Sequence, residues 1–378
     1  MASGGQRRVI ARVGLGALLL GCPAEPGSPR SPPRPASAVD PGLACVHAHP
    51  VPERWRPIVR AMCSELRSRG GVSVAVAIAR GDEIEWSLAI GPRCRGSAEP
   101  LRPTTTLHIG SITKLVTAAA ALLAAEQRGV ELDEPLPSPM PGAAPTLRSL
   151  LQHTSGLRDP EASAMLSAGE AWPTLLAEHR VAPGAFHYAN ANYLLVGRWL
   201  EQVTGRPLPA WLHHEPRLAA LAELVAFDPH QLDEPGCSHL PTMLGWSAWP
   251  LGSERPLPAS TLPAGGGLAS AEQLARLPAA LARTAQLERM IAAPLSTDQP
   301  GTSYGLGVRM LSVDGERALA HAGQTAGQWA ELQWSPATGV AVAVIATTPQ
   351  PFRATTLAAF EAASSSTQAE QAPALEHQ

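Results

Sequence analysis

The chain has 378 residues, of which 45% are hydrophobic and 16% charged, so it is long enough to bury a large core. Its formal net charge is -3 and it has no block of like charges, so we predict no nucleic-acid partner. Of the 29 Lys and Arg residues only Lys114 is a lysine. A lysine, unlike an arginine, can lose its proton in a protein, which makes Lys114 a candidate base.

The N-terminus has the pattern of an export signal. Arginines precede a short apolar run (14–21), and Cys22 follows the run directly. Residues 19–22 resemble a bacterial lipobox, in which the cysteine is lipidated. We therefore predict a signal peptide (1–22) and an exported protein of the cell envelope or periplasm, anchored to the membrane through Cys22. An ordinary cleaved signal is the alternative. Residues 23–44, rich in Pro and Ser, are predicted to be an extended linker.

The predicted elements define the fold class. In chain order they are a helix (52–70), a hairpin (71–91), a helix from Ser111 to Gly129, helices at 146–152 and 191–204, strands at 304–311, 316–323, 329–336 and 339–348, a helix at 352–364 and a disordered tail (365–378). Strands at both ends with helices between them predict one sheet assembled from the two termini, with an inserted helical segment. The Pro-rich stretch 206–262 supports no prediction of its own.

Four cysteines remain besides Cys22: Cys45, Cys63, Cys94 and Cys237. In an exported chain they permit two disulfides in any of three pairings, and four free buried thiols are equally compatible with the sequence.

Ser111 and Lys114 form the first motif that carries chemistry. They are three residues apart at the start of a helix, so their side chains lie on one face within hydrogen-bonding reach, as a nucleophile and its base require. The free N–H groups of the helix start favour a developing oxyanion. Such a base works near neutrality when its pKa is lowered to roughly 7–8. Taken alone, the pattern S-x-x-K also occurs at many helix starts that have no catalytic role.

Two further motifs contain candidate functional residues. Tyr188 and Asn190 precede the helix at 191–204, where a phenol can relay protons and an amide can bind a substrate carbonyl. His321 and Gly323 end a strand, where glycine allows close backbone approach and the N–H of Gln324 could complete an oxyanion hole. Taken singly, each motif also has a structural explanation, as a packing tyrosine or a strand histidine.

The order S-x-x-K, Y-x-N, H-x-G resembles the serine β-lactamase and penicillin-recognising DD-peptidase superfamily, including class C β-lactamase-like enzymes. The stretches QHTSGL (152–157), PAGGGLASAEQLARL (263–277) and YGLGV (304–308) strengthen the resemblance, which covers roughly residues 72–360. It implies an α+β fold: an antiparallel β-sheet flanked by helices, with an inserted all-helical subdomain. We assign the hydrolase domain to 45–364, with its sheet part at 45–110 and 263–364 and its helical part at 111–262.

The resemblance also implies roles for the motif residues. Ser111 attacks a carbonyl to form an acyl-enzyme, with Lys114 as base assisted by Tyr188. Asn190, His321, Gly323 and Gln324 bind substrate, the N–H groups of Ser111 and Gln324 forming the oxyanion hole. True β-lactamases typically have lysine where this chain has His321, so efficient β-lactamase activity is doubtful.

The expected activity is therefore hydrolysis of an amide or ester in a small-molecule or peptidoglycan-like substrate, of the DD-carboxypeptidase or β-lactamase type. The alternatives are a family esterase or D-amino-acid amidase, and a non-catalytic envelope lipoprotein that binds peptidoglycan fragments. The closely spaced histidine pairs lack the pattern of a metal site and the Gly265–Gly267 run lacks that of a dinucleotide site, so we predict neither metal nor cofactor.

Overall fold

A computed structural model of the protein describes residues 51–137, 144–160, 176–233, 235–242, 245–251, 261–313 and 316–371. The predicted signal peptide, Cys22 and the linker lie outside the described residues, as do residues 372–378 of the tail. Within the described part of the chain, no helix is both long enough and apolar enough to cross a membrane.

The α-helices of the described residues include each predicted helix. In chain order they are α1 (Arg56–Arg69), α2 (Thr113–Arg128), α3 (Leu147–Leu151), α4 (Asn190–Thr204), α5 (Leu208–His214), α6 (Ala219–Leu224), α7 (Leu262–Gly265), α8 (Ala271–Arg283), α9 (Leu287–Ile291) and α10 (Arg353–Gln371). Helices α1 and α2 end where the sequence predicts, at Gly70 and Gly129, because both glycines adopt the left-handed conformation that terminates a helix.

Within the described residues, the strands form one large sheet and two small ones. In chain order they are β1 (Val74–Arg80), β2 (Glu83–Ile90), β3 (Leu107–His108), β4 (Cys237–Thr242), β5 (Gly245–Pro250), β6 (Leu268–Ala269), β7 (Leu295–Ser296), β8 (Thr302–Tyr304), β9 (Arg309–Val313), β10 (Glu316–Gln324), β11 (Trp329–Trp334) and β12 (Val340–Ala346). The large sheet is antiparallel, with strand order β2-β1-β12-β11-β10-β9-β8-β7. Strand β1 from the N-terminal side thus pairs with β12 from the C-terminal side, which confirms the predicted sheet built from both termini.

Two boundary predictions are wrong. The predicted strand at 304–311 is broken into β8 and β9, because Gly307 has φ +88° and Gly305 N–H donates to the carbonyl of Val308 across the break. The predicted disordered tail begins too early, since α10 extends through Gln371. The inserted segment is not all-helical as predicted, because Cys237–Thr242 and Gly245–Pro250 pair as the antiparallel β4–β5 hairpin, which falls in the Pro-rich stretch that supported no prediction.

The core has two layers, one on each face of the large sheet. On β1, Ala75 and Ala77 belong to the cluster shared with α2 and α8, whereas Val74 and Val76 belong to the cluster beneath α1 and α10. The alternation follows from the two-residue period of a strand whose two faces are both covered. Helix α2 lies inside the first cluster and is buried on all sides from Thr113 to Ala125, so it offers a rigid support for the residues at its start.

A disulfide fixes the β4–β5 hairpin to the loop that follows β2. Cys94 is bonded to Cys237 at the start of β4. The sequence had left the partner of Cys94 open. Cys63 is also disulfide-bonded. The hairpin packs against the turn after β10, where the fully buried side chain of Gln328 accepts from His108 N–H at 2.7 Å and donates to the Cys237 carbonyl at 3.3 Å.

His239, on β4, makes the hairpin sensitive to acid. Its side chain is fully buried, its Nε2 accepts from Arg95 N–H at 3.0 Å, and burial together with the charge of Arg95 lowers its pKa to about 4. In the unfolded chain the pKa of histidine is near 6.5, so below that pH the unfolded state binds a proton that the folded state does not. The contribution of neutral His239 to stability is therefore present above pH 6.5 and is lost as the pH falls.

His239→Gln keeps an acceptor for Arg95 but does not titrate. Between pH 6.5 and 5 the wild type should lose roughly 1–2 kcal/mol more free energy of unfolding than this variant. Urea unfolding over a pH series measures the difference, and the exposed His230→Gln serves as the control. Equal pH dependence of wild type and His239→Gln would contradict the assignment.

Candidate active site

The side chain of Lys114 is fully buried and its Nζ contacts three oxygen atoms. These are Ser111 Oγ at 2.9 Å, Asn190 Oδ1 at 2.7 Å and the carbonyl oxygen of Ala264 at 2.6 Å. Ser111 lies in a 3-10 turn, Gly110–Ile112, that leads directly into α2, and it is partly exposed. The predicted serine–lysine pair is therefore formed, with the serine accessible and the lysine enclosed.

The Gly-rich run at 263–267 holds the start of α2 from one side. Thr117 Oγ1 donates to the Pro263 carbonyl, Gly267 N–H donates to Thr113 Oγ1, and Ile109 N–H donates to the Gly267 carbonyl. A Cβ on Gly267 would lie 2.7 Å from Thr113 Oγ1, so glycine is needed for this close approach. The run thereby places the Ala264 carbonyl against Lys114.

The amide of Asn190 is held between Lys114 and Asp159. Asp159 Oδ2 accepts from the backbone N–H of Asn190 at 2.9 Å and from its side-chain Nδ2 at 3.0 Å, and Oδ1 accepts from Ala191 N–H at 2.8 Å. Burial raises the pKa of Asp159, although these N–H groups and the charge of Lys114 oppose the rise. The carboxylate caps the first turn of α4 from a different segment of the chain.

The loop at 152–157 supports the segment that carries Tyr188. His153 Nδ1 accepts from Ala189 N–H at 3.2 Å, and the His153 carbonyl accepts from His187 N–H at 2.8 Å. Ser155 Oγ donates to Asn192 Oδ1 at 2.5 Å. The resemblance of QHTSGL to the family motif therefore has a physical basis, since this loop fixes the path of the Tyr188–Asn190 backbone.

All three tyrosines of the chain, Tyr188, Tyr193 and Tyr304, gather around His153, with ring centroids 4.2, 5.4 and 5.2 Å from the imidazole. Lys114 Nζ lies 5.1 Å from the ring centroid of Tyr188 and 5.4 Å from that of Tyr193. Burial lowers the pKa of His153 well below its ordinary value, and the charge of Lys114 lowers it further. Lys114 therefore faces π-systems and a neutral imidazole.

His321 lies on β10 with both ring nitrogens engaged. Nδ1 is 2.8 Å from the Ala322 carbonyl, which can only accept, so Nδ1 carries the proton and Nε2 accepts from the Tyr304 hydroxyl at 3.1 Å. Burial lowers the pKa of His321 to about 3, with further contributions from the charges of Lys114 and Arg309. The imidazole is therefore neutral at physiological pH.

The end of β10 lies directly against Ser111. A Cβ on Gly323 would overlap the carbonyl oxygen of Ile109 and lie 3.0 Å from Ser111 N, and a Cβ on Gly110 would lie 2.8 Å from Gln324 N. Gly110 has φ +51°, which favours glycine. These two glycines bring the backbone N–H groups of Ser111 and Gln324 into the neighbourhood that an oxyanion hole requires.

The structure thus brings together every predicted site residue within the described part of the chain; Cys22 alone lies outside it. Sequence reasoning missed Asp159, the Ala264 carbonyl and Tyr304. Tyrosine is rare in this chain, which could have indicated Tyr304, whereas a backbone carbonyl leaves no side-chain signal. Among the described residues, no cluster of three potential metal-ligating side chains occurs.

Comparisons with known proteins identify the family of the chain. The beta-lactamase family model matches residues 58–365. The chain belongs to the beta-lactamase family. It is accordingly a serine hydrolase, and both the resemblance and the fold class predicted from the sequence are confirmed.

A D-aminopeptidase is among the curated relatives of this beta-lactamase family member. The chain is 32% identical over 196 residues to a D-aminopeptidase of Cereibacter sphaeroides, a match covering 46% of this chain and 36% of the relative. The chain thus spans about a third of the length of that curated relative.

Solved structures show the same fold. The D-amino acid amidase from Ochrobactrum anthropi SV3 superposes with a TM-score of 0.67 at 19% identity, over 84% of this chain and 100% of that one. A class C beta lactamase from Rhodobacter sphaeroides superposes with a TM-score of 0.64 at 16% identity, over 83% of this chain and 99% of that one.

Gly323→Ala should displace the end of β10 from Ser111, because the added methyl group overlaps the Ile109 carbonyl. We expect the rate at which a fluorophosphonate probe labels the protein to fall roughly 10- to 1,000-fold, as for loss of an oxyanion donor. Gly71→Ala is the matched control, since its Cβ meets only side-chain atoms, at 3.2 Å or more. A folded Gly323→Ala protein that labels at the wild-type rate would refute the role of this close approach.

Proposed function

We propose that the protein hydrolyses an amide or ester through an acyl-enzyme on Ser111. The observation that carries the proposal is the 2.9 Å contact between Ser111 Oγ and a fully buried Lys114 Nζ that also contacts two oxygen acceptors. In its neutral form the amine donates two hydrogen bonds, to Asn190 Oδ1 and to the Ala264 carbonyl. Its lone pair can then accept from the Ser111 hydroxyl, which is able to donate.

The proposed reaction follows from this arrangement. The Ser111 hydroxyl transfers its proton to Lys114 as its oxygen attacks the substrate carbonyl carbon, and the N–H groups of Ser111 and Gln324 stabilise the oxyanion. The leaving amine or alcohol takes that proton as its bond to the carbonyl breaks, with Tyr188 as the relay. Water then attacks the acyl-Ser111 ester, giving a carboxylic acid and restoring the Ser111 hydroxyl.

The neutral state of His321 bears on the substrate class. A lysine at this position would present a positive charge to a substrate carboxylate, whereas an imidazole with a pKa of about 3 does not. This favours D-amino-acid amides, peptides or esters over β-lactams, and the likeness to a D-aminopeptidase points the same way. DD-carboxypeptidase activity on a peptidoglycan-like peptide is the second candidate, because the serine–lysine–tyrosine arrangement serves it equally.

We propose further that the enzyme works outside the cytoplasm, anchored through Cys22. The Cys94–Cys237 disulfide supports export, because disulfides persist in oxidising compartments. The lipobox-like sequence before Cys22 and the extended linker at 23–44 support attachment at a membrane surface.

Labelling of the purified protein tests the reaction. A fluorophosphonate and a fluorescent penicillin are added separately to wild type and Ser111→Ala, and intact mass identifies the adduct. We expect fluorophosphonate to label the wild type but not Ser111→Ala. Lys114→Arg keeps the charge but cannot act as a base, so its labelling should be roughly 100- to 10,000-fold slower.

The outcomes separate the candidate substrates. Ser87→Ala changes a serine on β2 and should label like the wild type. A stable penicillin adduct at Ser111 would favour the carboxypeptidase, and fluorophosphonate labelling alone the amidase or esterase. Labelling of Ser111→Ala would exclude Ser111 as nucleophile, and labelling of no protein by either probe would favour the non-catalytic envelope lipoprotein.

Cys22→Ala tests the anchor. In cells that process bacterial lipoproteins, the wild type should sediment with membranes, whereas Cys22→Ala should move to the soluble fraction because its acyl chains are lost. Ser28→Ala, in the linker, should fractionate like the wild type. Equal membrane association of Cys22→Ala and wild type would contradict the proposed lipidation.

A further inference from the structure

Asp159 contacts Asn190 in a way that selects one orientation of its amide. The side-chain oxygen and nitrogen of an asparagine are nearly equal in size, so packing alone does not decide which of them faces a neighbour. Here Nδ2 donates to Asp159 Oδ2 at 3.0 Å, and Oδ1 therefore faces Lys114 Nζ at 2.7 Å. A carboxylate only accepts, so turning the amide over would place two oxygens in contact and lose the hydrogen bond to Asp159.

The orientation of this amide determines what Lys114 can do. With Oδ1 facing it, the neutral amine donates to Asn190 and to the Ala264 carbonyl, and its lone pair remains for Ser111. With Nδ2 facing it, the amide would donate to that lone pair, and the amine could no longer accept the Ser111 proton. The orientation of the Asn190 amide thus decides whether the lone pair of Lys114 can accept the Ser111 proton.

We infer that Asp159 is a positioning residue that fixes the Asn190 amide and thereby directs the lone pair of Lys114 to Ser111. This inference rests on the proposed function of Ser111 and Lys114. Asp159 touches neither residue through a hydrogen bond of its own; it acts through Asn190. The backbone N–H groups of Asn190 and Ala191 hold the carboxylate at 2.9 and 2.8 Å, so its direction is itself fixed.

Asp159 also caps α4, and one substitution separates the two roles. Asparagine caps a helix about as well as aspartate. In Asp159→Asn, when the oxygen of the introduced amide stays on Ala191 N–H at the Oδ1 position, its NH2 takes the Oδ2 position and faces the Asn190 side chain. The Asn190 amide would then turn its oxygen to that NH2 and its Nδ2 to Lys114. The capping bond from Ala191 N–H is retained and the one from Asn190 N–H is lost, while the Asn190 amide is inverted.

The first measurement is the rate of Ser111 labelling by the fluorophosphonate. Asp159→Asn should slow labelling about 10-fold or more and lower the midpoint of urea unfolding less than Asp159→Ala does, because it keeps one capping bond. Asp159→Ala should slow labelling similarly and lower the midpoint further, because both capping bonds are lost. Asp228→Asn is the matched control, since Asp228 likewise accepts from a backbone N–H, of His230, and from a side-chain amide, of Gln231, outside the site.

A double-mutant cycle tests whether Asp159 acts through Asn190. If it does, Asp159→Ala combined with Asn190→Ala should label within about 3-fold of Asn190→Ala alone, because the amide to be oriented is already absent. Multiplicative losses would overturn the inference, as would wild-type labelling in Asp159→Asn. A wild type that does not label would instead refute the proposed function and this inference with it.

Because the chain has a single lysine, its NMR signal can be assigned to Lys114. We expect this signal to stay in place if Asp159 has only a structural role. In protein labelled with 13C at lysine Cε, the one side-chain signal comes from Lys114. Asp159→Asn should shift this signal because the group facing Nζ changes from an oxygen to an N–H donor, whereas Asp228→Asn should leave it in place. An unshifted signal in Asp159→Asn would show that the amide has not turned and would overturn the inference.

Discussion

The structure depends on one constraint, which is that the amino group of Lys114 is removed from water. Burying such a group without partners would cost several kcal/mol. The three oxygens that compensate come from the turn before α2, from the first residue of α4 and from α7. Since these segments are up to 150 residues apart, the amino group is satisfied only when the sheet and the inserted segment are both in place. The hydrogen bonds of the Lys114 amino group are therefore complete only when the fold is formed.

Close backbone approach is the second requirement of the site. Gly323 brings the end of β10 against Ile109, and Gly267 brings the Gly-rich run against Thr113. Gln328 lies in the turn after β10, and its side chain bonds to β3 and to the hairpin fixed by the Cys94–Cys237 disulfide. Elements that lie outside the catalytic motifs thus determine where the N–H groups around Ser111 point.

The sequence was sufficient for the elements whose signals are local. The helix beginning at Ser111 and the hairpin at 71–91 follow from periodicity and from glycine at their boundaries, and the three motifs identify most of the site. The β4–β5 hairpin was not predicted, because its strands contain Pro241 and Pro250 and depend on contacts with distant segments. The break at Gly305–Val308 was missed for a related reason: alternation indicates a strand but does not reveal a left-handed glycine within it.

Asp159 illustrates why the remaining site residues were not found. Its role lies in three hydrogen bonds to residues more than thirty positions away, and nothing in its local sequence distinguishes it from a surface aspartate. Its placement behind Asn190 also has an electrostatic consequence. A carboxylate in direct contact with Lys114 would favour the ammonium form and remove the base, whereas no carboxylate nearby would leave the ammonium without a countercharge when it forms. Because a neutral amide lies between them, the carboxylate polarises the Asn190 oxygen. That oxygen stabilises the ammonium that forms when Lys114 accepts the serine proton, and the carboxylate does not hold Lys114 charged beforehand.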